Sequence, residues 1–142
     1  MFKVKVLTIG RAKESWLLEA LREYEKRLQG TLQFEWKIGK NEAQLAEWAR
    51  EEAHLIALDP KGELFDSEQL SQRLMRLFVE RGSRLTFLIG GAEGIPADIL
   101  SRCAWKWSLS PLTFTHQATR LLLVEQIYRA LEIAKGSSYH KY

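Results

Sequence analysis

Apolar and polar positions along this chain repeat with two periods in turn, a strand period near two and a helix period near four. Phe2, Val4 and Val6 alternate with Lys3 and Lys5, which predicts a strand over residues 2–9. Trp16, Leu17, Ala20, Leu21, Tyr24 and Leu28 then recur at helical spacing, with charges between them, and predict a helix over 13–28. A second strand is expected over 31–38. Asn41 followed by Gln44 resembles a capping box and opens a helix over 42–53. Residues 54–58 read as a short buried strand stopped by the turn Asp59-Pro60-Lys61-Gly62. Asp66 and Gln69 cap another helix that runs to Arg81, and the wholly apolar segment 85–89 fits a strand buried on both faces of a parallel sheet. Pro96 suits the first turn of a short helix reaching Arg102, 105–109 is a fifth strand, and 116–135 is a long helix stopped by Gly136.

Strands alternating with helices imply an α/β domain, a mostly parallel sheet with helices on both faces. With 142 residues and no linker, repeat or low-complexity stretch, residues 1–142 are expected to form one domain. No apolar run approaches the roughly 18 residues of a membrane span. A single cysteine, Cys103, excludes an internal disulfide and a cysteine-rich metal site, and a reducing cytoplasm fits. The net charge is +3, with its excess at both ends: seven basic against four acidic groups in residues 1–30, and four against two in 116–142. Such ends permit a polyanionic partner such as RNA without demanding one.

Ligands of open parallel sheets bind beyond the carboxyl ends of the strands. Two loops there carry the chemistry. Gly90-Gly91-Ala92-Glu93-Gly94 follows the fourth strand, and Leu109-Ser110-Pro111-Leu112-Thr113-Phe114-Thr115-His116 follows the fifth. The hydroxyls of Ser110 and Thr113 among the apolar Leu109, Leu112 and Phe114 suit a flat base held between apolar walls, with Leu58 reaching the same edge. The first strand ends with the single glycine of Gly10-Arg11, so a dinucleotide fingerprint is missing where that fold requires it. Hydrolytic readings fail: there is no Gly-x-Ser-x-Gly elbow, Arg is not found six residues past Cys103, and the three histidines lack metal-ligand spacing. The last helix is apolar around nearly all of its circumference, which is expected to need a second copy of the chain to cover it. Arg120 sits one turn into that helix. The tail Tyr139-His140-Lys141-Tyr142 brings aromatic rings and a cation together, the equipment of single-stranded RNA binding.

Taken together, Leu58-Asp59-x-x-Gly62, Ile89-Gly90-Gly91-x-x-Gly94, Ser108-Leu109-Ser110-x-x-Thr113-x-x-His116, the helix with Arg120, Glu125 and Tyr128-Arg129-Ala130, and the ending Tyr139-His140-Lys141 resemble the RlmH family of SPOUT-superfamily methyltransferases. The resemblance covers essentially the whole chain. It implies a carboxyl-terminal trefoil knot and a homodimer packed through the last helix. It also implies S-adenosyl-L-methionine held by Leu58, Gly90, Leu109, Ser110, Pro111, Leu112, Thr113 and Phe114, with no metal. The substrate it implies is N3 of a pseudouridine in large-subunit ribosomal RNA on the assembled 70S ribosome. Arg120, Tyr139, His140 and Lys141 would meet the RNA, with His140 and Tyr139 as catalytic candidates, reaching from the partner subunit, beside His116. Lys141 stands where many relatives have arginine, and Tyr142 extends the tail by one residue. A SPOUT enzyme acting on transfer RNA and a non-catalytic nucleotide- or RNA-binding module are the competing expectations.

Overall fold

The computed structural model describes residues 1–141, so Tyr142 lies outside the described residues. Five strands, β1 (Phe2–Ile9), β2 (Leu32–Gly39), β3 (Leu55–Glu63), β4 (Arg84–Leu88) and β5 (Trp105–Trp107), form one sheet in the order β2-β1-β4-β3-β5. Every pairing in it is parallel. Parallel strands need crossovers, and α1 (Ser15–Arg27), α2 (Glu42–Glu51), α3 (Ser67–Glu80) and α4 (Ala97–Leu100) supply them, while α5 (His116–Lys135) follows the last strand.

The strand alternation decides which helix packs where. Val4 and Val6 of β1 and Leu85 and Phe87 of β4 face one side, where they join Leu74 and Phe78 of α3 and Leu123 and Ile127 of α5. Leu17 and Leu21 of α1 extend that layer against Val124. Leu7 and Leu88 point the other way, into Leu45 and Ala49 of α2 and Ile99 of α4. Leu123 and Ile127 are fully enclosed, so truncating either to alanine would cost about 2–5 kcal/mol. A buried hydrogen bond from Ser71 Oγ to the Ala130 carbonyl, 2.6 Å, ties α3 to α5. The apolar girth of α5 is thus largely covered within one chain, because α5 packs against both α3 and α1.

Local signals held with small displacements. Asp66 and Gln69 close both arms of a capping box at 2.8 and 3.0 Å. At α2, Asn41 Oδ1 accepts from the Gln44 N–H, while Gln44 Oε1 reaches back one residue further, to the N–H of Lys40. Pro96 is the N-cap of α4 and lies outside its first turn, because its ψ of 144° is extended. Gly136 ends α5 in the left-handed conformation, φ 74°. The third strand departs most: it does not stop at Leu58. Leu58 and Glu63 both pair with Trp107, so Asp59–Gly62 is a bulge inside a longer strand. Gly62 permits it, since a Cβ there would lie 2.7 Å from the backbone carbonyl of Lys106.

Candidate functional site

The carboxyl ends of β1, β3, β4 and β5 share one edge, and the loops leaving them build the site. The loop after β4 closes on itself: Gly91 and Gly94 form an antiparallel bridge, and the Gly94 N–H donates to the Gly91 carbonyl at 3.0 Å. A Cβ on Gly90 would approach the Gly94 carbonyl carbon and Ile95 Cγ1 to 2.9 Å. Gly90 is therefore glycine because the loop packs on its own backbone, a reason that precedes any ligand.

The loop after β5 has more ground to cover. β5 is the outermost strand beyond β3, yet the helix that follows begins at the end of β1. Residues 108–115 therefore recross the carboxyl edge. Ser108 Oγ donates to the Pro60 carbonyl at 3.1 Å, anchoring the start of the crossing on the β3 bulge. Ser110 Oγ accepts from the Leu112 N–H at 3.1 Å, and Thr115 Oγ1 caps α5 through the Ala118 N–H. Between these anchors Leu112 is 69% exposed and Phe114 37%, with Pro111 and Thr113 also in solvent. Leu109, Phe114, Trp107, Phe65 and Leu122 line a cleft of about 150 Å³. Leu58 lies in the core below the edge, level with Trp107. A roomier hollow of about 690 Å³ lies at the opposite, amino edge of the strands, where the Lys5–Glu52 ion pair occupies its polar lining.

Arg120 corrects the sequence reading. It is 1% exposed, so it offers no surface to RNA in the described chain. Its Nη2 donates to the carbonyls of Ile9, at 2.9 Å, and Gly10. Burial lowers the guanidinium from its ordinary pKa, and no carboxylate stands beside it among the described residues. Gln117 Nε2 donates to the Arg11 carbonyl at 3.0 Å, and the His116 ring lies against Gly10, whose φ is +84°. Three positions on one face of the first turns of α5, His116, Gln117 and Arg120, thus fasten the end of β1. Gly10, Arg11 and Gln117 were not singled out from sequence; the single glycine after β1 was the available signal.

The tail does not stand clear of its own chain. Tyr139 meets Tyr128 edge-on with centroids 4.9 Å apart, and the Arg129 guanidinium lies over the Tyr139 ring at 4.8 Å. Tyr139 also bonds Tyr24, and that contact, after burial, pushes the Tyr24 phenol up to about 12. Arg129 Nη1 donates to His140 Nδ1 at 3.0 Å while Nη2 is held by Glu125 at 3.3 Å. An arginine only donates, so His140 Nδ1 carries no proton in this arrangement. Lys141 is exposed, and with His140, Arg129, Gln126 and Asp66 it borders a hollow of about 540 Å³ beside the Phe114 cleft. The structure thus brings His140 and Lys141 near the second loop by folding the tail along its own α5. Tyr139, expected as a platform for a base, has Arg129 on its ring.

No group of three or more His, Cys, Asp or Glu side chains able to hold a metal is found among the described residues, and no helix there is long and apolar enough to cross a membrane. The family model described as "Predicted SPOUT methyltransferase" matches residues 2–140. A protein of Protochlamydia amoebophila named ribosomal RNA large subunit methyltransferase H is 50% identical over 141 residues, covering 99% of this chain and 100% of that one. Its namesake from Prochlorococcus marinus strain NATL2A is 39% identical over 96% of this chain and 94% of its own. Among solved structures, a probable methylase family protein from Haemophilus influenzae matches with TM-score 0.56 at 10% identity, over 98% of this chain and 70% of that one. A putative methyltransferase from Legionella pneumophila, in complex with bound S-adenosylmethionine, matches with TM-score 0.50 at 9% identity, over 92% and 66%. At such identity the two solved structures speak for the fold alone, and it is the full-length match at half identity, with the family model spanning the sheet and both loops, that decides: the chain belongs to the SPOUT methyltransferase family.

Proposed function

We propose that this protein transfers a methyl group from S-adenosyl-L-methionine to large-subunit ribosomal RNA, at N3 of a pseudouridine on the assembled ribosome. The observation that carries the substrate is the 50% identity, over full length, to a protein named for large-subunit ribosomal RNA. The cofactor fits the loops. Leu112 and Phe114 are two of the large apolar side chains left in solvent, two positions from one another on a crossing loop, and a flat base would cover them. The Leu109–Phe114 wall, with Leu58 beneath and the Gly90 loop beside it, would hold the adenosyl portion. When bound, the cofactor supplies an electrophilic methyl on a sulfonium.

The chain's own contribution is to place the nucleophile and ease the loss of its proton. N3 of pseudouridine is an imide nitrogen, protonated at neutral pH, and negative charge grows on its flanking oxygens as the proton leaves. His140, with Nδ1 engaged by Arg129, would carry its proton on Nε2 when neutral and would act there as a donor to a developing imidate oxygen. Acting as the base from Nε2 would require the other tautomer and release of Arg129. Lys141, exposed at the end of the tail, suits a phosphate.

Two further assignments belong to this reading. A homodimer is supported by the apolar side chains of α5 that its own chain leaves half-buried, Leu121, Leu122 and Ile133. A trefoil knot is supported by residues 108–115 recrossing from the outer strand to β1 past the closed β4 loop. The decisive experiment offers radiolabelled S-adenosylmethionine with assembled ribosomes or with bulk transfer RNA. Label is expected in large-subunit RNA, at a position resistant to pseudouridine-specific modification afterwards. Label in transfer RNA, or in neither, would overturn the proposal.

A further inference from the structure

The loop joining β1 to α1, residues 10–14, takes no part in the reading above, yet it leaves the same carboxyl edge as the two cofactor loops. It carries two exposed cations, Arg11 and Lys13. Neither is in an ion pair among the described residues, although the exposed Glu14 follows immediately. Solvated surface lysines are commonplace. What distinguishes this pair is how firmly the backbone leading into it, from Ile9 to Arg11, is held.

Arg120 is buried to 1% and bonds two successive carbonyls, Ile9 and Gly10. Gln117 takes the third, Arg11, at 3.0 Å. His116 packs on Gly10, and a Cβ there would come within 3.2 Å of its Cε1. A guanidinium withdrawn from water without a carboxylate partner is a costly way to fasten a surface loop. Arg120 Nε is itself buried without a partner, which adds to that cost. The fastening couples the loop to the first turns of α5, and hence to the end of the crossing loop 108–115.

We infer that Arg11 and Lys13 form a phosphate-binding site for the substrate RNA in the same chain as the cofactor loops, and that Arg120 is the positioning residue that sets it. This rests on the proposed reading that RNA is the substrate. The site accounts for part of the positive excess in residues 1–30, which the tail and the cofactor loops leave unused. Two cations on a pre-set backbone would register the nucleic acid against the crossing loop without reading its sequence.

The experiment compares ribosome binding across a salt series for wild type, the double variant Arg11→Ala/Lys13→Ala, and the control Lys3→Ala/Arg84→Ala. The control removes the same charge at neighbouring residues of the amino edge. Cofactor affinity is measured in parallel by calorimetry. The double variant should bind S-adenosylmethionine as wild type does, while its log–log salt slope becomes shallower by about 2, one unit per lost phosphate contact. The control should keep a steeper slope. Arg120→Met, which retains both surface cations, should weaken ribosome binding, and Arg120→Lys should restore part of it. A double variant with the slope of the control would overturn the inference even if Arg120→Met fails to fold. Wild-type protein that binds ribosomes with no salt dependence would remove the RNA reading as well, which separates the two failures.

Discussion

Replacing Gly90 with alanine should damage the protein twice, and the two effects can be read separately. The new Cβ would stand 2.9 Å from the Gly94 carbonyl carbon and from Ile95 Cγ1, about half an ångström inside the 3.4 Å at which ordinary contact begins. The Gly94 side cannot retreat freely, because the Gly91–Gly94 bridge closes the loop. Overpacking of this kind costs about 1–3 kcal/mol. For a chain of this size that lowers Tm by roughly 3–10 °C. Gly30→Ala is the comparator: its φ is +80° but nothing lies within 4 Å, so only backbone strain of about 1 kcal/mol is expected. Thermal unfolding gives the first effect and calorimetric titration with S-adenosylmethionine the second. Gly90→Ala should melt below wild type and lose cofactor affinity, whereas Gly30→Ala should bind normally. A Gly90→Ala protein that melts with wild type would refute the close packing of the loop. Wild-type cofactor affinity in Gly90→Ala would refute its place in the pocket.

Light scattering at micromolar concentration should report twice the chain mass, and a clean monomer would remove the proposed interface on α5. A chain ending at Ser138 should keep its fold and its cofactor affinity yet transfer almost no methyl to ribosomes; full methylation would end any role for the tail in substrate handling. Within it, His140→Ala should lose rate more than RNA affinity, and Lys141→Ala the reverse. Tyr24, raised from 10.0 to about 12 chiefly by burial and by Tyr139, favours its neutral form in the fold. The stability this provides is complete below pH 10 and lost as pH rises toward 12. Phenolate absorbance should accordingly show Tyr24→Phe removing one late-titrating tyrosine, and an unchanged titration would contradict the Tyr24–Tyr139 contact.

The order of elements was legible because the apolar periods are clean and the caps are local. Asp66 with Gln69, and Gly136 after Lys135, act over a few residues, and a local pattern is what a sequence displays. The β3 bulge was hidden for the opposite reason. Asp59-Pro60-Lys61-Gly62 has turn chemistry, and only the pairing of both Leu58 and Glu63 with Trp107 makes it an interruption within a strand. The loops after β4 and β5 were legible as loops at one edge, whereas the reason for Gly90 was not, since it depends on how closely Gly94 folds back. Arg120 shows the same limit. An arginine among the leucines of a helix reads as a surface residue until its partners, two carbonyls more than a hundred positions away, come into view. The apolar girth of α5 likewise implied a partner subunit more strongly than the structure requires, because α1 and α3 already cover much of it.

The distance between Arg120 and Ile9 along the chain also bears on how the molecule is made. β1 is synthesised first, but its neighbour β4 pairs Lys3 with Arg84, and its carboxyl end is closed by a side chain 111 residues downstream. A central strand must therefore wait with one edge unpaired while most of the polypeptide is translated. Topologies dominated by such distant contacts fold slowly and expose sticky strand edges on the way. The vulnerable period therefore runs from the synthesis of β1 to that of α5. Demand for chaperones during synthesis should then track the arrival of α5, whose first turns complete the strand that began the chain.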